Sequence, residues 1–586
     1  MNVVNSDEYI SADVLVLGGG MGGCFAAIKA AEEGAKVVAF EKADIRRSGD
    51  LGTGISEMQL IHPDYNYSYE ELARLNVEAA AGIADEDLAC EFARDSLDRL
   101  LDLESYGLRI RNDDGSFTFK GGADTALGKH LTIYGPGPTV WHDLKPLLAR
   151  KAESFSNVNV FNRTAAIGLL TEDGAIGSKV VGAVGLETRT GKFVICKAKA
   201  VIITTGACYR QGRQMDTLYA PTRFISVGCP INSGEGQAMA YRAGADIVNM
   251  EFPLVCRVYK DFTHAVVGPP GILGRLIDGK GKELLRRRGD GKRMTPAEFL
   301  EFYARTQPTA FQSIGPYYMD VSCVEGWPEE KGEMQRMLWA IENESTSAGF
   351  LAWMRERGED WTKAPVEAEW RPISTHNNQA GIYIDVNARS SLEGLYCAGM
   401  VIGGGWRHNS TGAFVFGARA GRNAAEYARK APEPRINDEQ VEAEKNHILK
   451  ALAVNPRDGF SWIELEDKAR RIATDYGSPF TNDSKIERGL AHLERIRTKY
   501  LPKLYARDPR EMMRVSEVNA VFTIVKLFLR AALFRKESRV IDSLSILYKT
   551  DYPEQDDENW LKHSVIRNVD GEMKLSTKEV KRLSRK

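Results

Sequence analysis

The chain has 586 residues, 43% of them hydrophobic and 27% charged, with a formal net charge of -2. That length exceeds what one hydrophobic core supports, so a large domain with one or two smaller ones is expected. The composition is that of a soluble globular protein, and its near-neutral balance excludes the basic bias of a nucleic-acid-binding chain.

Residues 1–13 include Asp7, Glu8 and Asp13 and no apolar stretch, so no signal peptide is expected. The most apolar window, 14–31, is glycine-rich and runs directly into Glu32 and Glu33. It reads as βα core and not as a membrane span. Cytoplasmic residence is the simplest expectation, with no direct membrane span.

Val14-Leu15-Val16-Leu17 is a short apolar run, as a strand buried on both faces requires. Gly18-Gly19-Gly20-Met21-Gly22-Gly23 follows, and Gly18, Gly20 and Gly23 have GxGxxG spacing. The first glycine turns the chain, the second admits a pyrophosphate, and the third lets helix pack on strand. Residues 24–33 continue as an alanine-rich helix whose N-terminal amides suit that pyrophosphate. Residues 35–40 form a second apolar strand ending at Glu41, where a carboxylate meets a ribose diol. Strand, glycines, helix, strand and terminal acid together point to a nucleotide cofactor. By themselves they do not separate FAD from NAD.

Later segments repeat the style. Residues 197–207 read as a buried strand ending at Thr205-Gly206. Asn232-Ser233-Gly234-Glu235-Gly236 opens a helix with small residues, and residues 394–399 form another strand and a turn at Gly399. The nucleotide domain is therefore expected to be split by inserts. Eight cysteines lie at 24, 90, 196, 208, 229, 256, 323 and 397, with no CxxC run. They read as reduced, and no metal site is expected from them.

From about residue 13 to 427 this arrangement resembles the flavoprotein subunits of the succinate dehydrogenase / fumarate reductase superfamily, most of all the alpha subunits of adenylylsulfate reductases. The resemblance implies an α/β fold: a split Rossmann-like FAD-binding domain, an inserted α+β capping domain and a helical C-terminal domain. The implied boundaries are 1–249 and 372–430 for the two FAD-binding parts, 250–371 for the cap, and 431–586 for the helical domain with its basic tail. It places Gly18, Gly20, Met21, Gly22, Gly23, Glu41, Lys42, Arg47, Ser48, Gly49, Gly52, Thr53, Gly54, Ala165, Thr205, Gly206, Gly399, Ser410, Thr411 and Gly412 at the cofactor. Gly49 stands where succinate dehydrogenases and quinol fumarate reductases carry the histidine that bonds to FAD. Glycine cannot make that bond, so non-covalent FAD is implied.

On the substrate side the resemblance aligns Ser374-Thr375-His376-Asn377-Asn378-Gln379 with a segment that sets a histidine at the substrate. His376 is thereby implied as catalytic, with a near-neutral pKa suited to steadying an anion or donating a proton. Arg257 matches an arginine of the adenylylsulfate branch, and its planar fork suits an oxyanion. Arg407 and His408, just before the last cofactor segment, are further anion-binding candidates. A structural histidine and a surface arginine remain open as plainer readings of His376 and Arg257. The chain also departs from its relatives. Gln59 stands where the adenylylsulfate branch has asparagine, and the fumarate branch's histidine–threonine–glycine–glutamate element is not found between residues 250 and 364.

Residues 250–372 carry Gly268-Pro269-Pro270-Gly271 and the tryptophans 327, 339, 353 and 361, marking turns and apolar packing. Ala431-Pro432-Glu433-Pro434-Arg435 reads as a linker. After it, residues 439–452, 461–476, 483–497 and 511–534 read as helices. The last stretch, with Lys574, Lys578, Lys581, Arg582, Arg585 and Lys586, reads as a solvated tail, with docking to an acidic partner as the sharper alternative.

The expectation is an FAD-dependent oxidoreductase of adenylylsulfate-reductase type, coupling two-electron chemistry on a small anionic substrate to a ferredoxin-like iron–sulfur partner. The partner is implied because the chain has flavin motifs but neither cluster ligands nor a second nicotinamide fingerprint. Two alternatives stay open: a reductase or dehydrogenase of carboxylate or acyl substrates, and a non-catalytic electron-transfer flavoprotein subunit.

Overall fold

β1 (Glu8–Leu17) becomes wholly apolar at Val14, and the side chains of Val14, Leu15, Val16 and Leu17 are fully buried. Such a run stays in place only if both faces are covered. In the computed structural model of the chain the described residues are 7–50, 52, 58–60, 68–117, 119–120, 131–133, 143–211, 229, 231–253, 255–259, 274–286, 316–329, 331–332, 334–335, 338, 347–372, 379–406, 409–477, 480–541 and 545–584. β1 lies near the middle of a seven-stranded sheet. It pairs in parallel with β2 (Val37–Glu41) on one side and with Phe193–Ile203 on the other. Val158–Asn162 extends the parallel half beyond β2, and Leu395–Cys397 lies parallel to Phe193–Ile203. The strands Val180–Glu187 and Thr164–Thr171 complete the sheet in antiparallel sense, so it is mixed.

Helix α1 (Met21–Glu32) connects β1 to β2 and is buried from Met21 through Ala31. Its upper surface meets a second long helix, Asn409–Lys430, at backbone distance. A Cβ on Gly417 would fall 2.5 Å from the carbonyl oxygen of Gly22, and one on Gly421 would collide with that of Ala26. Phe25 and Phe414 close the same contact, with ring centroids 4.9 Å apart.

The segment between residues 249 and 372 forms its own five-stranded antiparallel sheet, in the order Val255–Tyr259, Val366–Pro372, Tyr317–Asp320, Arg275–Asp278, Glu283–Arg286. Beyond residue 437 come the helices Asp438–Leu449, Trp462–Gly477, Asp483–Lys499 and Pro509–Phe534. They agree with the helices read from the sequence to within a few residues at their ends. Among the described residues no helix is long and apolar enough to cross a membrane.

The chain's end differs from a solvated tail. Lys562–Val569 and Glu572–Glu579 form a hairpin, and the first of these pairs with Ile247–Val248, which in turn pairs with Gly381–Tyr383. The basic residues mask a strand pattern in which Ser564, Val565 and Ile566 are buried. After the hairpin, Lys581 pairs with Asp87 at 3.1 Å and Arg582 donates to the carbonyls of Gly82 and Ala84.

The glycine contact between the two helices yields a stability prediction. Gly417→Ala wedges α1 from Asn409–Lys430 and should destabilise the protein by about 1–3 kcal/mol, the usual range for overpacking. Thermal unfolding of the variant beside the parent checks this.

Candidate functional site

The turn after β1 is where the chain's glycines do their work. Gly18 has φ +101, and its amide donates to the carbonyl of Phe40 at 2.8 Å. Gly23 lies so close to the Gly18 carbonyl that any side chain would collide with it. Gly20, the N-cap of α1, has open space where a Cβ would stand. The amides of the first turn of α1 therefore face room for a ligand, with the positive end of the helix dipole behind them.

Glu41 ends β2 only 4% exposed. Its two carboxylate oxygens accept from the amides of Gly19 and Ala43, each at 2.7 Å. The carboxylate is thus fixed beside the glycine turn. Ser48 donates to the Gly19 carbonyl at 3.1 Å, and a Cβ added to Gly49, which has φ +85, would stand 3.2 Å from the Gly20 Cα. Arg47 is exposed and donates to the Gly52 carbonyl at 3.3 Å.

Three distant parts of the chain close on this turn. Thr204 donates to the Gly18 carbonyl at 2.6 Å, which brings Thr205 and Gly206 alongside. A Cβ on Gly22 would stand 3.3 Å from the carbonyl of Ala413 and 3.6 Å from the Cα of Gly399. Gly399 itself, at φ +78, opens onto empty space, and Ser410 and Thr411 sit in the first turn of Asn409–Lys430. Two helix N-termini and two open glycine positions thus converge. The hydroxyls of Thr205 and Thr411 are buried without a hydrogen-bond partner among the described residues. A buried unpaired hydroxyl is disfavoured by about 1–3 kcal/mol, so the site is built to be completed by a polar ligand. A pyrophosphate-bearing cofactor with hydrogen-bonding ring edges, such as FAD, fits this donor set. Ala165 sits in Thr164–Thr171, two positions after Arg163, whose amide donates to the Ala43 carbonyl at 2.9 Å.

Lys42 turns elsewhere. Its ammonium donates to Glu235 at 2.5 Å, to Glu517 at 2.9 Å and to the Ile231 carbonyl, so what it has left for a ligand is main chain. Glu517 also receives Arg210 at 2.6 Å and Arg514 at 2.5 Å, and Arg210 binds Glu466. Burial pushes the Glu517 carboxyl up, but Lys42, Arg210 and Arg514 outweigh it and hold the carboxyl far below the usual range. Sequence reasoning missed this network because its members are scattered from position 42 to 517. It also missed Asp50, whose carboxyl burial raises. Asp50 accepts from Tyr209 and, at 2.8 Å, from the Cys229 amide. No local pattern flagged either group.

His376, Arg407, His408, Thr53 and Gly54 lie outside the described residues. Arg257 occupies the middle of Val255–Tyr259, opposite Trp370 in the five-stranded antiparallel sheet. Gly412 follows Thr411 within the first turn of its helix. Among the described residues no three His, Cys, Asp or Glu side chains gather as a metal-binding group.

Comparison with known proteins gives this geometry its family. The FAD binding domain family matches residues 13–413, and the fumarate reductase flavoprotein C-terminal family matches residues 466–584. A fumarate reductase flavoprotein subunit of Mycobacterium tuberculosis is 24% identical over 612 residues, covering 96% of each chain. Among solved structures, adenylylsulfate reductase from Archaeoglobus fulgidus superposes with a TM-score of 0.81 at 23% identity, over 100% of this chain and 98% of that one. E. coli quinol fumarate reductase reaches 0.77 at 19% identity, over 99% and 98%. The fold is thus shared by both branches, and adenylylsulfate reductase is one near structural neighbour among several. With the glycine turn, the fixed Glu41 and the orphan hydroxyls inside the matched span, the chain belongs to the FAD-binding flavoprotein superfamily of succinate dehydrogenases and fumarate reductases and is an FAD-dependent oxidoreductase.

Proposed function

We propose that this chain is the catalytic flavoprotein subunit of a two-component reductase or dehydrogenase, moving an electron pair between FAD and a small anionic substrate. Single electrons then pass to a separate ferredoxin-like iron–sulfur protein. The observation that carries the reading is the convergence of two helix N-termini and two open glycines on the turn after β1, with an unpaired buried hydroxyl on each of two segments that reach it. Bound FAD would supply the two-electron chemistry. The amides of α1 would hold its pyrophosphate, Glu41 its ribose, and the first turn of Asn409–Lys430 would favour negative charge next to it. Cytoplasmic residence and the division at residues 249, 371 and 430 belong to the same reading.

For the substrate, Arg257 and His376 are proposed to clamp and protonate an oxyanion. Their identity and the non-covalent cofactor implied by Gly49 favour sulfite with AMP, the adenylylsulfate reaction. The competing reading is fumarate or succinate, supported by the name of the mycobacterial relative. The electron partner rests on kinship with proteins named as subunits and on the lack of cluster ligands in this sequence.

Three outcomes test this reading. Denaturation of the purified holoprotein by acid should release all of the flavin into the supernatant as FAD, and flavin that stays with the pellet would contradict the role given to Gly49. Glu517→Gln leaves the three cations Lys42, Arg210 and Arg514 with Glu235 and Glu466 as their carboxylates, which should destabilise the protein by about 3–5 kcal/mol and lower its FAD-to-protein ratio. Absorbance at the flavin band against protein concentration reads that ratio. In turnover assays with an artificial electron carrier and a panel of AMP plus sulfite, fumarate, succinate and enoyl thioesters, His376→Gln or Arg257→Gln should lower kcat/KM by about 100-fold or more at unchanged FAD content. Unchanged turnover on the accepted substrate would remove both residues from the mechanism.

A further inference from the structure

Beside the glycine turn sits a carboxyl that none of the foregoing chemistry uses. Asp50 directly follows Gly49, and a Cβ on Gly49 would stand 3.2 Å from the Gly20 Cα. Its Oδ1 accepts from the Cys229 amide at 2.8 Å and from Asn232 Nδ2 at 3.4 Å, and its Oδ2 accepts from the Tyr209 hydroxyl. Tyr209 Oη also lies 3.6 Å from Met400 Sδ. Each of these partners is tied to a glycine at the turn or facing it. Tyr209 follows Gly206 by three positions, a Cβ on Gly206 would fall 2.6 Å from Asn232 Nδ2, and Met400 follows Gly399, which opens onto empty space. Asp50, Tyr209, Asn232 and Met400 are all half-buried, so they stand at the edge of that space and not within the packed core.

The charged groups on the surrounding elements are engaged elsewhere. Lys42 is held by Glu235 and Glu517, and Arg210 by Glu466 and Glu517. Arg46 pairs with Glu153 at 3.8 Å, Arg47 donates to the Gly52 carbonyl, and the Glu41 oxygens are taken by the Gly19 and Ala43 amides. Burial pushes the Cys229 thiol up and the charge of Asp50 adds to this, so the thiol stays neutral. Among the described residues Asp50 thus has hydrogen-bond donors but no cation. The same neighbours satisfy it in either protonation state. Ionised, it accepts from Tyr209. Protonated at Oδ2, it donates to the Tyr209 oxygen, whose own hydrogen turns to Met400 Sδ, a weak acceptor within reach. Burial raises the carboxyl above the usual range against the pull of Tyr209 and the Cys229 amide, which moves its titration toward neutral pH.

We propose that Asp50 and Tyr209 hold the proton that offsets the charge arriving on the flavin ring, with Asp50 as its acceptor and Tyr209 as the hydroxyl that reverses to receive it. This rests on the functional reading above: with the pyrophosphate over α1 and the ribose at Glu41, the ring lies on the side of Gly399 and Met400. For each electron pair delivered to the ring by substrate or by an added reductant, one solvent proton goes to the ring, leaving one negative charge on it. A second solvent proton goes to Asp50, whose carboxylate becomes a carboxyl. The site therefore carries one negative charge before and after, and the repulsion that a fixed carboxylate would exert on the ring is avoided.

The midpoint potential of the FAD-loaded full chain, measured against pH with a reference dye, tests this, because its slope gives the protons taken up per electron pair. Above the usual carboxylate range the parent should show a window, about one pH unit or more wide, in which Asp50 adds one proton to the uptake. Asp50→Asn keeps the side-chain shape and the bond to the Cys229 amide, and should take up one proton fewer in that window. The two potentials should coincide at acid pH and part as pH rises, the variant becoming easier to reduce by about tenfold or more in the equilibrium constant. Tyr209→Phe removes the donor that favours the carboxylate, so it should move the window up by about one pH unit. Parallel potentials for the parent and Asp50→Asn across the whole range, or a window that stays in place or moves down in Tyr209→Phe, would overturn the proposal. If Asp50→Asn does not retain FAD, the parent and Tyr209→Phe decide: a parent without the window, or one that Tyr209→Phe does not raise, overturns it equally. No substrate enters this titration, so failure of the underlying functional reading looks different: no compound of the turnover panel would exchange electrons with the flavin at all.

Discussion

Everything at the site depends on how closely α1 can approach its neighbours. At Gly23 the helix backbone rests on the Gly18 carbonyl, and at Gly417 the backbone of Asn409–Lys430 rests on the Gly22 carbonyl. Side chains at these points would push the two helices apart by the width of a methyl group or more. Because the glycines let backbone meet backbone, two helix N-termini end beside each other over the glycine turn. Partial positive charge, free amides and open volume then coincide without any charged side chain being needed. The same contact brings Gly399 and the Thr411 helix turn to the pocket from the far end of the chain.

A second constraint ties the pocket to the C-terminal helices. Lys42, Arg210 and Arg514 surround Glu517, and Arg535 sits fully buried between Glu251 at 2.5 Å and Glu537 at 2.7 Å. Burying ions is unfavourable by several kcal/mol each, and only near-complete pairing offsets it. Such networks contribute little net stability over an apolar core, but they tolerate very few arrangements. Lys42 follows the acid that ends β2, so the register of the C-terminal helices is coupled to the segment that would hold a ribose. The buried chain from Asp85 through His563 to Asn249 ties the C-terminal hairpin into the fold by the same logic.

Much of the architecture was legible in the order of residues. The VLVL run, the glycine spacing and Glu41 belong to one local unit, and each reads the same in sequence and in structure because neighbours in the chain are neighbours in space. The four C-terminal helices were equally plain, the first three from apolar positions at helical spacing and Pro509–Phe534 from its length and apolar character nearly all round. The hairpin 562–579 was not, because its strands carry many charged residues and its buried residues, His563 to Ile566, are consecutive, so no alternation marks them. Lys42 shows the limit most clearly. Its place beside Glu41 implied a cofactor contact, yet its ammonium is taken by Glu235 and by Glu517, which is 475 positions away.

Sequence alone thus determined the nucleotide-binding turn, the helical and apolar segments, and the class of chemistry. Backbone geometry and short-range periodicity carry that information within windows of a few tens of residues. Only the tertiary structure decided which distant groups meet: Thr205, Gly399 and Thr411 over one turn, Glu517 against Lys42, His563 against Asn249. Those pairings are set by how sheets and helices pack, and by the need of each buried charge or amide to find a partner. A buried group's partner is chosen by proximity in the folded core, and no spacing along the chain records it.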